Sequence, residues 1–166
     1  MAKQRTYTGH SGQMAVMAEL LFRQCNVAVP EVDYGTDVFA FLDEREDAAR
    51  VQVKTAQGKI YQKEAGYSAQ YDIPIKQLRQ PEPPLLYYAL AVRLEKGWGD
   101  FVVISRAELN EFWNGQRKLG TEQKSGYLKL TIRSRPARVV CGEVDLTAYR
   151  NAWHVLPPLM PLPMIQ

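Results

Sequence analysis

The fold is set by two β-rich segments and the charged tip between them: Thr36-Asp-Val-Phe-Ala-Phe-Leu42, then Asp43-Glu-Arg-Glu-Asp47, then Arg50-Val-Gln-Val-Lys-Thr55. Both segments are rich in the β-branched and aromatic residues that favour strands. The charged residues between them are typical of a solvated hairpin turn. The pattern predicts two adjacent antiparallel strands, with a third short strand, Asn26-Val-Ala-Val-Pro30, ahead of them.

A buried helix is predicted upstream of these strands. Residues 6–12 have the small and polar side chains of a loop, and Ser11 can cap a helix that runs from residue 12 to about residue 24. Residues 14–22 are apolar around almost the whole helix, with Glu19 as the exception. Such a helix is expected to be largely buried.

Further strands and short helices are predicted downstream. The strands are expected over residues 71–75, 85–95, 100–105, 127–133 and 137–141. The helices are expected over residues 76–80, 105–115 and 145–153, and Ser105 with Glu108 predicts a capping box for the second of them. Together these elements predict an α/β or α+β domain with a central mixed β-sheet flanked by helices.

Composition indicates one globular domain. The chain has 166 residues, of which 46% are hydrophobic and 23% charged, and this excludes a disordered, collagenous or coiled-coil protein. We expect a single domain over residues 1–156 and an extended, proline-rich arm over residues 157–166 that packs on its own core or on a neighbouring subunit.

Cysteine spacing and hydropathy indicate a cytoplasmic, intracellular protein. Cys25 and Cys141 lie far apart without a CxxC pattern, so we expect buried free thiols in a reducing compartment. The chain also lacks the apolar run of a signal peptide or of a membrane span, so no membrane partner is predicted.

Charge is distributed unevenly along the chain. The formal net charge is +3, but residues 1–72 carry −2, residues 73–140 carry +6 and residues 141–166 carry −1. This asymmetry favours an anionic partner such as DNA. The alternative is a solvated edge whose Lys and Arg side chains oppose aggregation. The candidate DNA-binding residues are Lys124, Lys129, Arg133, Arg135 and Arg138.

Three polar residues in the first hairpin form the candidate catalytic site. Asp37 begins an otherwise apolar strand, where a carboxylate needs a partner or a metal ion. Gln52 and Lys54 are two residues apart on the next strand and therefore point to one face. Because strands joined by a hairpin are adjacent, we expect the three side chains on one rim. A carboxylate, an amide oxygen and an ammonium there predict a Mg2+ site with a catalytic lysine.

At these residues the sequence resembles the PD-(D/E)xK nuclease superfamily, and especially its small, Holliday-junction-resolvase-like members. Asp37 matches the Asp of the motif. Gln52-Val53-Lys54 matches the (D/E)xK tripeptide with Gln in place of the carboxylate, a substitution that members of this superfamily show. Gly9-His-Ser-Gly12-Gln13 resembles the family's Gly-x-x-Gly-Glu helix start, again with Gln for Glu. The resemblance covers residues 9–55, and the later strands only loosely.

The resemblance implies a restriction-endonuclease-like core and metal-assisted hydrolysis of DNA. Mg2+ (or Mn2+) would be held by Asp37, Gln52, the Val53 carbonyl and Glu19, the single charge in the apolar helix. Lys54 would position the attacking water. Two further residues are candidates: Gln13 at the helix start, and Gln77, for which contact with a metal-proximal phosphate and a solvated position on the helix surface both stay open. Cutting both strands of a duplex implies a homodimer or a higher homo-oligomer.

Three functions therefore stay open. The first is a metal-dependent DNA endonuclease. The second is a nuclease-like DNA-binding or assembly module that is catalytically inactive because of the two glutamines. The third is a protein-interaction scaffold of the immunity type. For the first, the DNA target also stays open between a branched structure, a restriction site, and the target of a phage, mobile-element or homing nuclease.

Overall fold

In the computed structural model, which describes residues 2–32, 35–115 and 118–159, the predicted hairpin is formed by β2 (Val38–Phe41) and β3 (Ala48–Gln57). The two strands are antiparallel, with Val38 opposite Val51 and Phe41 opposite Ala48. The short strand predicted upstream is β1 (Asn26–Ala28), which pairs with β2. The charged residues 43–47 lie at the turn between β2 and β3, as predicted.

The other strands are β4 (Lys59–Ile60), β5 (Tyr67–Pro74), β6 (Leu86–Leu94), β7 (Gly97–Ser105), β8 (Thr121–Glu122), β9 (Tyr127–Arg135), β10 (Arg138–Cys141) and β11 (Val144–Asp145). The helices are α1 (Ala2–Phe22), α2 (Ile75–Leu78) and α3 (Arg106–Asn114). Three 3-10 turns follow at Thr147–Tyr149, Trp153–Val155 and Pro157–Leu159. The capping box predicted at Ser105 is present, because its side chain accepts from the Glu108 backbone while the Glu108 carboxylate accepts from the Ser105 backbone.

The strands form two sheets. The first has the order β1-β2-β3-β6-β7 and is mixed, because β3 and β6 are parallel and its other pairs are antiparallel. The second is antiparallel, with the order β11-β10-β9-β5-β4 and with β8 added on β9. The chain therefore has a mixed α+β fold. Its β-structure is divided between two sheets, whereas the sequence predicted one central sheet.

Strand β6 lies in the middle of a three-layer arrangement. Tyr87 and Ala89 pack in the cluster with α1, whereas Tyr88 and Leu90 pack in the cluster that includes the second sheet. Successive side chains of a strand point to opposite faces, so β6 is buried on both. This explains why β6 is an almost continuous apolar run. The layers are therefore α1, the first sheet and the second sheet.

Helix α1 begins ten residues before its predicted start. It includes Gly9, which the sequence placed in a loop of small and polar residues, and Gly12, the predicted first residue of the helix. Glycine costs about 1 kcal/mol relative to alanine in a helix. Close packing explains the helix through Gly12, since a Cβ atom at this position would lie 1.8 Å from Thr55 Oγ1. Val16 and Leu20 of the same helix are fully buried against the first sheet. Tertiary packing therefore outweighs local propensity.

Two other local predictions differ from the structure. The helix predicted over residues 145–153 is a short strand followed by 3-10 turns, and the strand predicted from residue 71 begins at Tyr67. Of the proline-rich arm, residues 157–159 form a 3-10 turn with Pro158 buried, and residues 160–166 lie outside the described residues. Cys25 and Cys141 are buried and unpaired, as predicted. No helix of the described ranges is long and apolar enough to cross a membrane.

Candidate functional site

Asp37 lies where two strands of the first sheet diverge. Strand β2 begins at Val38 opposite Val51, so beyond this point β3 has no partner on that side among the described residues. The Asp37 backbone N–H donates to the Val51 carbonyl at 2.9 Å, and Asp37 Oδ2 accepts from the Val53 backbone N–H at 2.6 Å. The carboxylate thus replaces the next bond of the sheet ladder. This contact fixes its position at the open edge.

An open cleft of about 330 Å³ is formed at this edge. Helix α1 lines one side of it and the start of the hairpin lines the other. The lining residues are Thr6, Gly9, His10, Gln13, Asp37, Gln52, Val53 and Lys54. The structure therefore brings together five of the residues that the sequence singled out: Gln13, Asp37, Gln52, Val53 and Lys54.

Gln52 is buried and donates to Asp37. Its Nε2 donates to Asp37 Oδ2 at 2.5 Å, while its Oε1 accepts from Gln77 Nε2 at 3.0 Å. The amide oxygen is therefore turned away from the cleft. The sequence predicted this oxygen as a metal ligand, but in this structure Gln52 orients the carboxylate, because a carboxylate needs hydrogen-bond donors.

Gln77 lies behind Gln52, on the short helix α2. Its Nε2 also donates to the Gly35 carbonyl at 3.1 Å, and its Oε1 accepts from the Tyr88 hydroxyl at 3.1 Å. Burial raises the pKa of Tyr88 well above its usual range, so the hydroxyl stays protonated and can donate at neutral pH. The polar atoms of Gln77 are thus engaged inside the protein. This arrangement differs from the predicted contact of Gln77 with a phosphate.

Lys54 is the cation of the cleft. It is half-buried and, like Gln52, belongs to the face of β3 opposite Val53, as the period of two predicts. Within the described part of the chain its ammonium makes no hydrogen bond or ion pair. The charge is therefore available to water or to a phosphate group in the cleft.

Helix α1 contributes one wall through side chains at positions 6, 10 and 13. Gln13 Nε2 donates to the Asp37 carbonyl at 2.8 Å and so ties the helix to the start of β2. Thr6 and His10 also line the cleft. Neither was predicted as a site residue, because the sequence placed both in a loop. Thr6 precedes His10 by four residues and His10 precedes Gln13 by three, and this spacing was the available signal, since it puts the three on one face of a helix.

Glu19 does not line the cleft. It lies six residues beyond Gln13, a rise of about 9 Å along the helix. Its Oε2 accepts from Arg23 Nη1 at 2.7 Å, and the Arg23 guanidinium also lies 5.3 Å from the centre of the Trp153 ring. The predicted role of Glu19 as a metal ligand is therefore not supported, because its charge is matched by Arg23.

The cleft offers few oxygen ligands for a hard divalent cation. Asp37 supplies one carboxylate, and the Val53 carbonyl points to the same open edge as its N–H, because both groups of a strand residue face one neighbour. The described residues hold no group of three or more His, Cys, Asp and Glu that could bind a metal. Mg2+ commonly uses one or two carboxylates together with waters and substrate phosphates. With one carboxylate and one backbone carbonyl, the described residues of the cleft would leave most coordination positions of such an ion to water or to a bound phosphate.

The predicted DNA-binding residues lie on the second sheet and the turn that leads into it. Lys129, Arg133 and Arg135 alternate with buried residues along β9 and so point outward. Arg138 on β10 is opposite Arg135, and Lys124 is exposed in the turn before β9. This set of five is called the basic face below.

The basic face is partly neutralised by ion pairs, and the turn before β9 is hydrogen-bonded to α2. Arg135 pairs with Glu64 at 2.8 Å and Arg138 with Asp145 at 3.0 Å, whereas Lys129 and Arg133 have no ion pair with described residues. The Ile75 N–H donates to the Gly126 carbonyl at 3.0 Å. This bond joins the turn before β9 to α2, the helix that carries Gln77.

Comparisons with known proteins identify a solved structure with a similar fold. No family model matches the chain, and no curated protein matches it. Among solved structures, it is similar to that of a bacterial homing endonuclease, I-Ssp6803I, with a TM-score of 0.51 and 18% sequence identity over 89% of this chain and 87% of the other. The two chains share a fold. At this identity the likeness concerns the fold alone.

Proposed function

We propose that the protein is a metal-dependent DNA endonuclease that hydrolyses phosphodiester bonds, and that it belongs to the PD-(D/E)xK superfamily. The observation that carries the proposal is the convergence of Asp37, Gln52 and Lys54 in one open cleft where β2 and β3 diverge. The shared fold with a homing endonuclease supports it.

The cleft suits chemistry on a phosphate group. Mg2+ or Mn2+ at Asp37 and the Val53 carbonyl would supply a Lewis acid and lower the pKa of a bound water. Gln52 and the Val53 N–H hold the Asp37 carboxylate in place through two short hydrogen bonds. Precise orientation of this kind matters because a displacement of 1 Å can reduce a rate by about 100-fold.

Lys54 acts on the water and on the developing charge. Its ammonium lies on the same face of β3 as Gln52 and lines the same cleft as Asp37. A cation in a half-buried position stabilises the negative charge that builds up on the phosphate more strongly than it would in bulk water. Lys54 therefore has the role of orienting the attacking water and stabilising the transition state.

The basic face binds the DNA backbone. Its Lys and Arg side chains contribute phosphate contacts that give affinity and register but carry little sequence information. The turn before β9 is hydrogen-bonded to α2 through Ile75 and Gly126, and α2 carries Gln77, which lies behind Asp37 and Gln52. A homodimer or a higher oligomer would place two clefts on the two strands of a duplex.

A second candidate function is DNA binding without cleavage. It is favoured by the way both glutamines of the cleft direct amide N–H groups at Asp37, one to its carboxylate and one to its carbonyl. Such a network is satisfied by hydrogen bonds without any cation. This alternative predicts DNA binding that is independent of divalent metal.

Cleavage assays with the full chain distinguish the two functions. Supercoiled, linear and branched DNA would be incubated with Mg2+ or with a chelator. We expect nicking only with the metal, and Lys54→Met should reduce the rate by about 100-fold or more. Lys59→Met, an exposed change on β4, is the matched control and should leave the rate unchanged. Metal-independent binding without any nicking would instead support the second candidate.

A further inference from the structure

Four side chains form a continuous hydrogen-bonded chain from the core to the cleft. Tyr88 donates to Gln77, Gln77 donates to Gln52, and Gln52 donates to Asp37. Tyr88 is fully buried and Gln52 is 5% exposed. A second bond from Gln77, to the Gly35 carbonyl, closes the chain back onto the segment that carries Asp37.

The direction of this chain is determined at both ends. The Gly35 carbonyl can only accept, so the Gln77 atom that faces it must be the amide nitrogen. The same nitrogen faces Gln52, so the Gln52 atom on that side must be the oxygen. The other end of the Gln52 amide, which faces the acceptor Asp37, is therefore the nitrogen. Both amide orientations follow from the acceptors and need no further assumption.

We propose that Gln77 is a positioning residue, which locks the Gln52 amide as a donor to Asp37 and keeps its oxygen out of the metal site. The proposal rests on the function proposed above. If the Gln52 amide turned over to present its oxygen beside Asp37, its nitrogen would face the Gln77 nitrogen, donor against donor. Gln77 cannot turn with it, because its oxygen would then face the Gly35 carbonyl.

Glycine at position 35 allows the close contact that holds Gln77 in this orientation. Its φ of 88° lies in the left-handed region that favours glycine. A Cβ atom there would lie 2.5 Å from Gln77 Nε2 and 3.5 Å from Gln52 Oε1. The backbone at Gly35 thus approaches Gln77 closely enough for its carbonyl to fix the amide. Asp37 is consequently the principal protein charge for a cation, and the substrate phosphate must supply much of the rest.

The lock is tested first without any metal. The exchange of the Gln52 side-chain N–H protons with solvent would be followed by NMR in the wild type and in Gln77→Met, which keeps the length of the side chain but removes both polar atoms. We expect exchange to become about tenfold faster, because the bond from Gln77 that holds the Gln52 oxygen is lost and the amide can turn away from Asp37, while backbone exchange in β6 is unchanged. Equal rates for the Gln52 protons in the two proteins would overturn the proposal.

The second arm measures metal affinity by calorimetric titration with Mn2+ in the absence of DNA. Gln77→Met removes the donor that holds the Gln52 oxygen away from the cleft and adds no charge, so the Gln52 amide can turn and the variant should bind Mn2+ about tenfold more tightly than wild type. The gain must disappear when Gln77→Met is combined with Gln52→Met. A gain that persists in this background does not come from the Gln52 oxygen and overturns the lock. Failure of the nuclease function would show in the cleavage assay and would leave the exchange experiment intact.

Discussion

At the scale of single residues, the site depends on one carboxylate. Asp37 is the only acidic side chain among the described residues that line the cleft. Its oxygen already accepts two hydrogen bonds, one from Gln52 and one from the Val53 backbone. A hard cation favours charged oxygen ligands, so a second carboxylate in the cleft should change metal binding strongly.

Gln13→Glu tests this dependence on charge. The variant loses the bond from Gln13 Nε2 to the Asp37 carbonyl, so without metal it should be less stable than wild type by about 1 kcal/mol. With Mg2+ its melting temperature should rise with metal concentration, because a ligand that binds only the folded state stabilises it. Thermal denaturation with Mg2+ and with a chelator measures both effects.

Gln13→Met is the matched control for that experiment. It loses the same hydrogen bond without gaining a charge, so it should be destabilised to a similar extent and gain little from Mg2+. If Gln13→Glu shows no more metal-dependent stabilisation than Gln13→Met, the cleft does not bind a divalent cation at this position.

Some of the site could be predicted from neighbouring residues. Asp37 with Gln52 and Lys54 follows from the hairpin and the period of two in a strand. Glu19 was predicted to bind a metal ion because it is an isolated charge in an apolar helix. In the structure its charge is paired with Arg23, four residues further along the helix. The role of Gln77 depends on Gly35 and Tyr88, which are far apart in sequence, so no local pattern indicates it.

At the scale of secondary-structure elements, the position of α1 decides the shape of the cleft. The helix approaches β3 closely at Gly12, where any Cβ atom would overlap the side chain of Thr55. Gly9, one turn earlier, has no atom within 4 Å of an added Cβ. The two glycines of the same helix therefore serve as a matched pair.

Gly12→Ala should destabilise the protein by about 1–3 kcal/mol, because the helix must move away from a β-branched residue on a strand. Gly9→Ala should stabilise it by about 0.5–1 kcal/mol, because alanine is the better helix former and space is available. Urea denaturation of the two variants measures both values. Equal effects at the two positions would mean that α1 does not pack on Thr55 as described.

The sequence predicted the long strands well but not the two-residue strands. Strands with a strong local signal, such as β2, β3, β6 and β9, lie close to their predicted ranges. The two-residue strands β4, β8 and β11 carry almost no local signal and exist because longer strands pair with them. The division into two sheets could not be predicted, because it depends on the parallel pairing of β3 with β6 across about thirty residues.

At the scale of the whole molecule, the cleft and the basic face differ in charge. The acidic first part of the chain carries Asp37, and the basic part forms the outer face of the second sheet. Within that basic face, Arg133 has no ion pair with described residues, while Arg138 is paired with Asp145. The two arginines should therefore contribute differently to DNA binding.

Arg133→Gln should weaken DNA binding uniformly across sequences and reduce the salt dependence of the binding constant by about one phosphate contact. Arg138→Gln should have a smaller effect, because its guanidinium already interacts with Asp145. Fluorescence anisotropy with duplex DNA over a range of salt concentrations measures both slopes. A salt slope that neither substitution changes would place the DNA elsewhere on the protein.

In the proposed function, Asp37 makes the cleft a metal-dependent phosphodiesterase site. The single-turnover nicking rate of supercoiled DNA, with the full chain in excess, tests this role in wild type and Asp37→Asn. We predict nicking by the wild type with Mg2+ and none with a chelator, and a rate for Asp37→Asn at least about 100-fold lower with an unchanged fold. Nicking by Asp37→Asn at the wild-type rate, or by the wild type without metal, would show that DNA cleavage does not depend on a metal ion bound at Asp37.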